Sequence, residues 1–312
     1  MTGPHSTDHR LLRDLGTTAA AATTAAGLTW GGYNLLVWQA QKVRTVIPHR
    51  TDDAPDGDGI YRRDGSGPHR VTRDNRAEIG LHLAVFGDST AAGLGADTGV
   101  QTPGARLARR VALDTGQVVR YSNKAIVGAT SKGLGAQIDA MLIAGDHPDV
   151  AVILVGANDV TARNGIRTSA SRLGAAVTRL RTIDTEVIVG TCPDFGVITA
   201  IPQPLRSVLR VWGMRLAARQ KAAVLSAGGR AVPMADLLSE DFRDAPDRML
   251  SFDRYHPSAD GYELAADILL PEVLAALGQW GPEPLPQPPE VSPSVDNSKL
   301  TDKILRVARD VR

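Results

Sequence analysis

The sequence predicts an α/β fold on a doubly wound parallel sheet, and two observations predict it. Three apolar runs, 82–86, 151–155 and 187–189, stop at Gly87, Gly156 and Gly190, as short strands buried on both faces do. Segments of helical periodicity fill the gaps, and strand, helix, strand repeated in this way calls for crossovers in a parallel sheet.

In chain order, the strand at 82–86 is followed by a helical pattern over 105–113, a weaker strand at 118–121 and a helix over 134–143. The strand at 151–155, a helix over 169–180, the strand at 187–189, a helix over 205–225 and a weak strand at 231–234 complete the series. Such a sheet gathers reactive groups where loops open a crevice at the carboxyl ends of its strands. Asp88 and Ser89, Ser122 and Asn123, and Asn158 and Asp159 all fall there.

Composition fits a globular chain: 312 residues, 43% hydrophobic and 22% charged. With 35 Lys and Arg against 34 Asp and Glu, the net charge of +1 supplies no field to recruit nucleic acid. Cys192 is the single cysteine, which excludes an intramolecular disulfide and a cysteine-rich zinc site. It reads as a buried thiol.

The ends read differently from the middle. From Leu15 to Gln41 no residue is charged, a length that could cross a bilayer core, with Leu28, Trp30, Tyr33, Leu35, Leu36, Val37 and Trp38 in its second half. Residues 1–50 are therefore expected to form a tail carrying a signal anchor at about 15–41; a cleaved export signal and an amphipathic helix packed on the domain stay open. Residues 51–79 mix Asp, Arg, Gly and Pro and read as a linker, and 80–280 as the catalytic domain. Over 281–312 a run with six prolines precedes Leu300, Ile304, Val307 and Val311 at helical spacing, a spacer and a short amphipathic helix.

Ser89 leaves a buried strand in Gly87-Asp88-Ser89, where its hydroxyl would be exposed. A serine needs a base, and of seven histidines His256 stands out because Asp253 precedes it by three positions and Pro257 follows it, so a carboxylate and an imidazole can meet on a single turn. An oxyanion needs donors, and the N–H groups of Ser89 and Gly128 and the side-chain amide of Asn158 are the candidates. Asp88 is expected to bond loop backbone rather than to titrate in the reaction. Asp97, Asp159 and Asp194 lack partners at ligand spacing, so no metal and no cofactor is expected. Arg206, Arg210, Arg215, Arg219 and Lys221 read as a solvated helix face, and Phe195 to Leu205, with Ile198 and Ile201, as a wall of an acyl pocket.

Gly-Asp-Ser, then Asn123-x-x-x-x-Gly128, then Gly156-x-Asn158-Asp159, then Asp253-x-x-His256-Pro257 resembles, in that joint order, the SGNH/GDSL hydrolase family over about residues 80 to 277. The fuller Gly-Asp-Ser-Leu form is absent, because Thr90 and Ala91 follow Ser89. Ala91 also breaks the Gly-x-Ser-x-Gly elbow of an α/β-hydrolase lipase. The resemblance implies a flavodoxin-like three-layer α/β/α sandwich with a five-stranded parallel sheet. It further implies Ser89 as nucleophile and oxyanion donor, Gly128 and Asn158 as the other donors, His256 as base and Asp253 as its orienting partner. The expected activity is hydrolysis of carboxylic esters of short to medium acyl chains by a monomer, tethered to a membrane or exported to the cell envelope, its catalytic domain soluble. Two alternatives stand beside it: an O-acetyl esterase or acyltransferase on envelope glycans, and a non-catalytic scaffold or binding module.

Overall fold

The computed structural model describes residues 32–42, 54–143, 145 and 147–285. The chain divides into two compact units, Met1–Pro48 and His49–Arg312. Of the first unit, residues 32–42 form a helix with Tyr33, Leu35 and Trp38 exposed and the Lys42 ammonium 5.1 Å from the Trp38 ring centroid. The rest of the 15–41 segment and the C-terminal amphipathic pattern lie outside the described residues. Among the described residues no helix is long and apolar enough to cross a membrane.

The second unit is a three-layer sandwich. Its strands are β1 Gly59–Tyr61, β2 Leu81–Gly87, β3 Val119–Asn123, β4 Val150–Leu154, β5 Glu186–Gly190 and β6 Arg230–Val232, in the order β1-β3-β2-β4-β5-β6. The five from β3 to β6 are parallel, as the sequence predicts. A sixth strand corrects the expected count of five: β1 runs antiparallel to β3 with Ile60 opposite Arg120. It also corrects the linker reading of 51–79. Ile60 and Tyr61 are buried, Ile60 exchanges backbone bonds with His69, and the Tyr61 hydroxyl donates to Gly57 O at 2.9 Å. Gly and Pro there serve turns at the sheet edge rather than a free connection.

Alternation along the strands sorts the core into two faces. Leu83, Val85, Val152 and Leu154 pack with α1 Pro103–Thr115 and with α6 Ala259–Ala276. Ala84, Phe86, Ala151 and Ile153 pack with α2 Leu134–Ile143, α3 Ile166–Arg181 and α4 Leu205–Ser226. The remaining long helix, α5 Met234–Asp244, begins where the sequence reading placed the end of a strand.

Chain order reverses at β2, which has β3 on one side and β4 on the other, so the crevice of a doubly wound sheet opens at its carboxyl end. There the strands part and their backbone groups lose ladder partners inside the core. Two buried glutamines replace them. Gln137 on α2 accepts from Gly87 N at 2.8 Å and donates to Gly87 O at 2.7 Å. Gln220 on α4 accepts from Cys192 N at 2.7 Å and donates to Val155 O at 2.8 Å, bridging the ends of β4 and β5. Gly87 has φ +139°, and an added Cβ would lie 1.8 Å from Leu154 O. Only glycine fits.

Removing the Gln220 amide strands a buried N–H and a buried C=O, so Gln220→Leu should destabilise the fold by about 3 kcal/mol. Urea unfolding with an unchanged m-value would check it; a loss below about 1 kcal/mol would mean that water replaces the amide.

Candidate active site

Ser89 opens a single helical turn, Ser89–Ala92, directly after β2. Asp88 caps that turn by accepting from Thr90 N at 3.0 Å, and Gly93 ends it with φ +86°. As first residue of the turn, Ser89 keeps its own N–H free of intrahelical bonding. Asp88 thus holds loop backbone, as expected. Burial pushes its carboxyl up to about 6, against the N–H groups of Thr90 and Gly156, which lower it.

His256 arrives from the other end of the chain. Its Nε2 stands 3.0 Å from Ser89 Oγ and its Nδ1 2.7 Å from Asp253 Oδ2. The carboxylate assigns the ring proton to Nδ1 and leaves the Nε2 lone pair to the serine hydroxyl. Burial would raise the Asp253 carboxyl, but bonds from the His256 ring and from the N–H groups of His256 and Tyr255 prevail and hold it well below the usual range. Tyr255 packs edge-on against the His256 ring, centroids 4.9 Å apart.

Asn158 lies in the short helix Ala157–Thr161 past β4. One hydrogen of its amide goes to Ala129 O at 2.9 Å, which fixes where the other points. Gly128 occupies the turn closed by Ala129 N to Ile126 O at 3.0 Å; its φ of +82° is the left-handed value a type II turn requires at that position. Ile126 N donates to Gly87 O at 3.1 Å, which pins this turn beside the end of β2. Ser89, Asn158 and His256 line one cavity, whereas Gly128 sits on the exposed loop outside its lining.

The cavity is walled mainly by apolar side chains, among them Val197, Ile198, Met234, Leu238, Phe242 and Leu250. Ile198 was expected there; Ile201 is buried but outside the lining, a correction. The larger wall comes from α5, whose Met234, Leu238 and Phe242 stand at helical spacing in the sequence.

Asp159, Asp194, Arg206 and Arg210 have structural partners. Asp159 accepts from Ser131 N and Oγ and from Ser169 Oγ, each at 2.8 Å, and ties the Gly128 loop to the Asn158 helix. Asp194 pairs with Arg210 at 3.0 Å, and Arg206 Nε donates to Ile201 O at 2.6 Å. The basic face of α4 is therefore solvated only from Arg215 onward, a correction for its first turns. Cys192 is buried, and burial pushes its thiol well above the ordinary value. Among the described residues no three His, Cys, Asp or Glu side chains are grouped to hold a metal.

A profile of the GDSL-like lipase/acylhydrolase family matches residues 85–264, a span that includes Ser89, Gly128, Asn158, Asp253 and His256. The chain belongs to this family. It is 52% identical over 255 residues to a GDSL-like esterase of Mycobacterium tuberculosis, covering 82% of this chain and 80% of that protein. As a family member, the protein is an ester hydrolase of the serine class. A solved member of the lipolytic G-D-S-L family from Veillonella parvula superposes with a TM-score of 0.50 at 18% identity, covering 62% of this chain and 98% of that one, which is a likeness of fold.

The depressed Asp253 carboxyl has a pH signature. A carboxyl lower in the folded than in the unfolded chain contributes stability above its ordinary value, 3.8, that is lost as pH falls through and below it. The Tm gap between the wild type and Asp253→Asn should therefore narrow as pH is lowered from 5 toward 3, which thermal melts would show.

Proposed function

We propose that Ser89, His256 and Asp253 are the catalytic triad of this esterase and that it cleaves esters of apolar, short- to medium-chain acyl groups. The 3.0 Å approach of His256 Nε2 to Ser89 Oγ, with Asp253 at 2.7 Å behind the ring, carries the reading. His256 takes the Ser89 proton as Oγ attacks the carbonyl carbon. The oxyanion then faces the Ser89 N–H and the second Asn158 amide hydrogen, donors worth about 3 kcal/mol each where they meet developing charge, and the Gly128 N–H is the third donor if its loop closes over the cavity mouth. His256 returns the proton to the leaving alcohol oxygen, and an acyl group remains on Ser89. Water, deprotonated by His256, attacks the acyl carbon, and the acid leaves as Ser89 regains its proton.

The apolar lining supports an acyl group with a hydrocarbon chain. An O-acetyl esterase on envelope glycans would leave most of that wall uncovered. Tethering or export through the N-terminal segment belongs to the same proposal and rests on the uncharged run from Leu15 to Gln41.

A fluorophosphonate probe should label the wild type and not Ser89→Ala; labelling that survives the substitution would remove Ser89 as nucleophile. Phe242→Ala, which enlarges the cavity, should move the best p-nitrophenyl ester to a longer chain, with a gain of about tenfold in kcat/KM for that ester relative to the shorter one. An unchanged chain-length profile would place the acyl group elsewhere.

A further inference from the structure

We propose that Ser251 is a positioning residue, whose hydroxyl holds the Asp253 carboxylate in the rotation that offers Oδ2 to His256. The inference rests on the triad reading above.

The loop that carries Asp253 and His256 is closed at its neck. Leu250 and Pro257 form an antiparallel bridge, and Ser251 N donates to His256 O at 2.8 Å. Arg254 N donates back to Ser251 O at 2.8 Å, and Arg254 takes the left-handed φ of +54° that lets so few residues reverse the chain. Ser251 therefore contacts the loop through its N–H, its carbonyl and its side chain.

A carboxylate can turn about its Cβ–Cγ bond, and only one oxygen can face the imidazole. Asp253 Oδ1 accepts from Ser251 Oγ at 2.8 Å, Tyr255 N at 2.8 Å and His256 N at 2.9 Å, while Oδ2 is left to His256 Nδ1. The two N–H donors belong to residues that follow Asp253, whereas the hydroxyl comes from the segment that precedes it. Oδ1 is thus held from both sides of the neck, and Ser251 is the donor that ties the rotation of the carboxylate to the incoming segment. Ser251 is 8% exposed, and a Cβ added at Gly95 would lie 3.3 Å from Ser251 Cβ and 3.2 Å from His256 Cβ. Backbone thus covers this side, and water cannot readily replace the hydroxyl.

The test compares the full-length wild type with Ser251→Ala, Ser251→Thr and Ser89→Ala, reading kcat and KM on a p-nitrophenyl ester, Tm, and the downfield proton resonance of the His256 Nδ1–H. Ser251→Ala should lose about tenfold in kcat with KM within about twofold, because the base is present but misdirected. Its Nδ1–H resonance should shift, and Ser251→Thr, which keeps the hydroxyl, should restore both. Ser251→Ala with kcat within about twofold of wild type and an unmoved resonance would overturn the proposal. So would a loss shared by Ser251→Thr and matched by a fall in Tm, the mark of a residue that only supports the fold. Wild-type turnover that persists in Ser89→Ala would instead defeat the triad reading, and the positioning role with it.

Discussion

A parallel sheet can open a crevice only where its strands diverge, and divergence strands backbone N–H and C=O groups within the core. The site depends on how that cost is met. Gln137 and Gln220 present a side-chain donor and acceptor in place of the missing strand, one on Gly87 and one across Val155 and Cys192. Gly87, with no Cβ, lets the chain turn against Leu154 O. Ser89 follows two residues later, so its position is a consequence of how β2 is terminated.

The second half of the site is built separately and brought to the first by backbone contact. The 250–257 hairpin holds Asp253 and His256 in mutual register through its own bonds, whatever Ser89 does. Registration with Ser89 comes from Gly95, where any Cβ would meet Pro257 O at 2.3 Å, and from the Tyr262 hydroxyl, which donates to Leu94 O at 2.7 Å. These contacts fall on the loop that immediately follows the Ser89 turn. A distance of 3.0 Å between groups 167 positions apart is thus set by two short, stiff connections.

The parts legible in the sequence are those on which a single physical demand acts. Strands buried on both faces must be apolar without a break, which is why β2, β4 and β5 lie within two residues of the runs that predict them. Asp253 and His256 were legible because a carboxylate three positions before an imidazole can bond it within one turn. β1 has three residues, too few for a pattern, and the Asp58 carboxylate that accepts from Asn123 N at 2.8 Å belongs to a loop with no periodicity. Met234 continues an apolar run, so α5 was hidden behind the strand before it. Ser251 carries no signal at all, since a serine two positions before an aspartate is ordinary and only its bonds distinguish it.

The same burial that hides these residues explains the electrostatics of the site. Asp88 and Asp253 are both buried carboxylates near His256, yet burial raises the first to about 6 while donors hold the second low. The difference is in bonding, because Asp253 meets three hydrogen donors on one oxygen and the imidazole on the other. Asp253 is therefore held as an anion at pH values where Asp88 takes up a proton, and an anion beside the ring fixes the proton on Nδ1. An apolar cavity beside such a pair strengthens their attraction by excluding water.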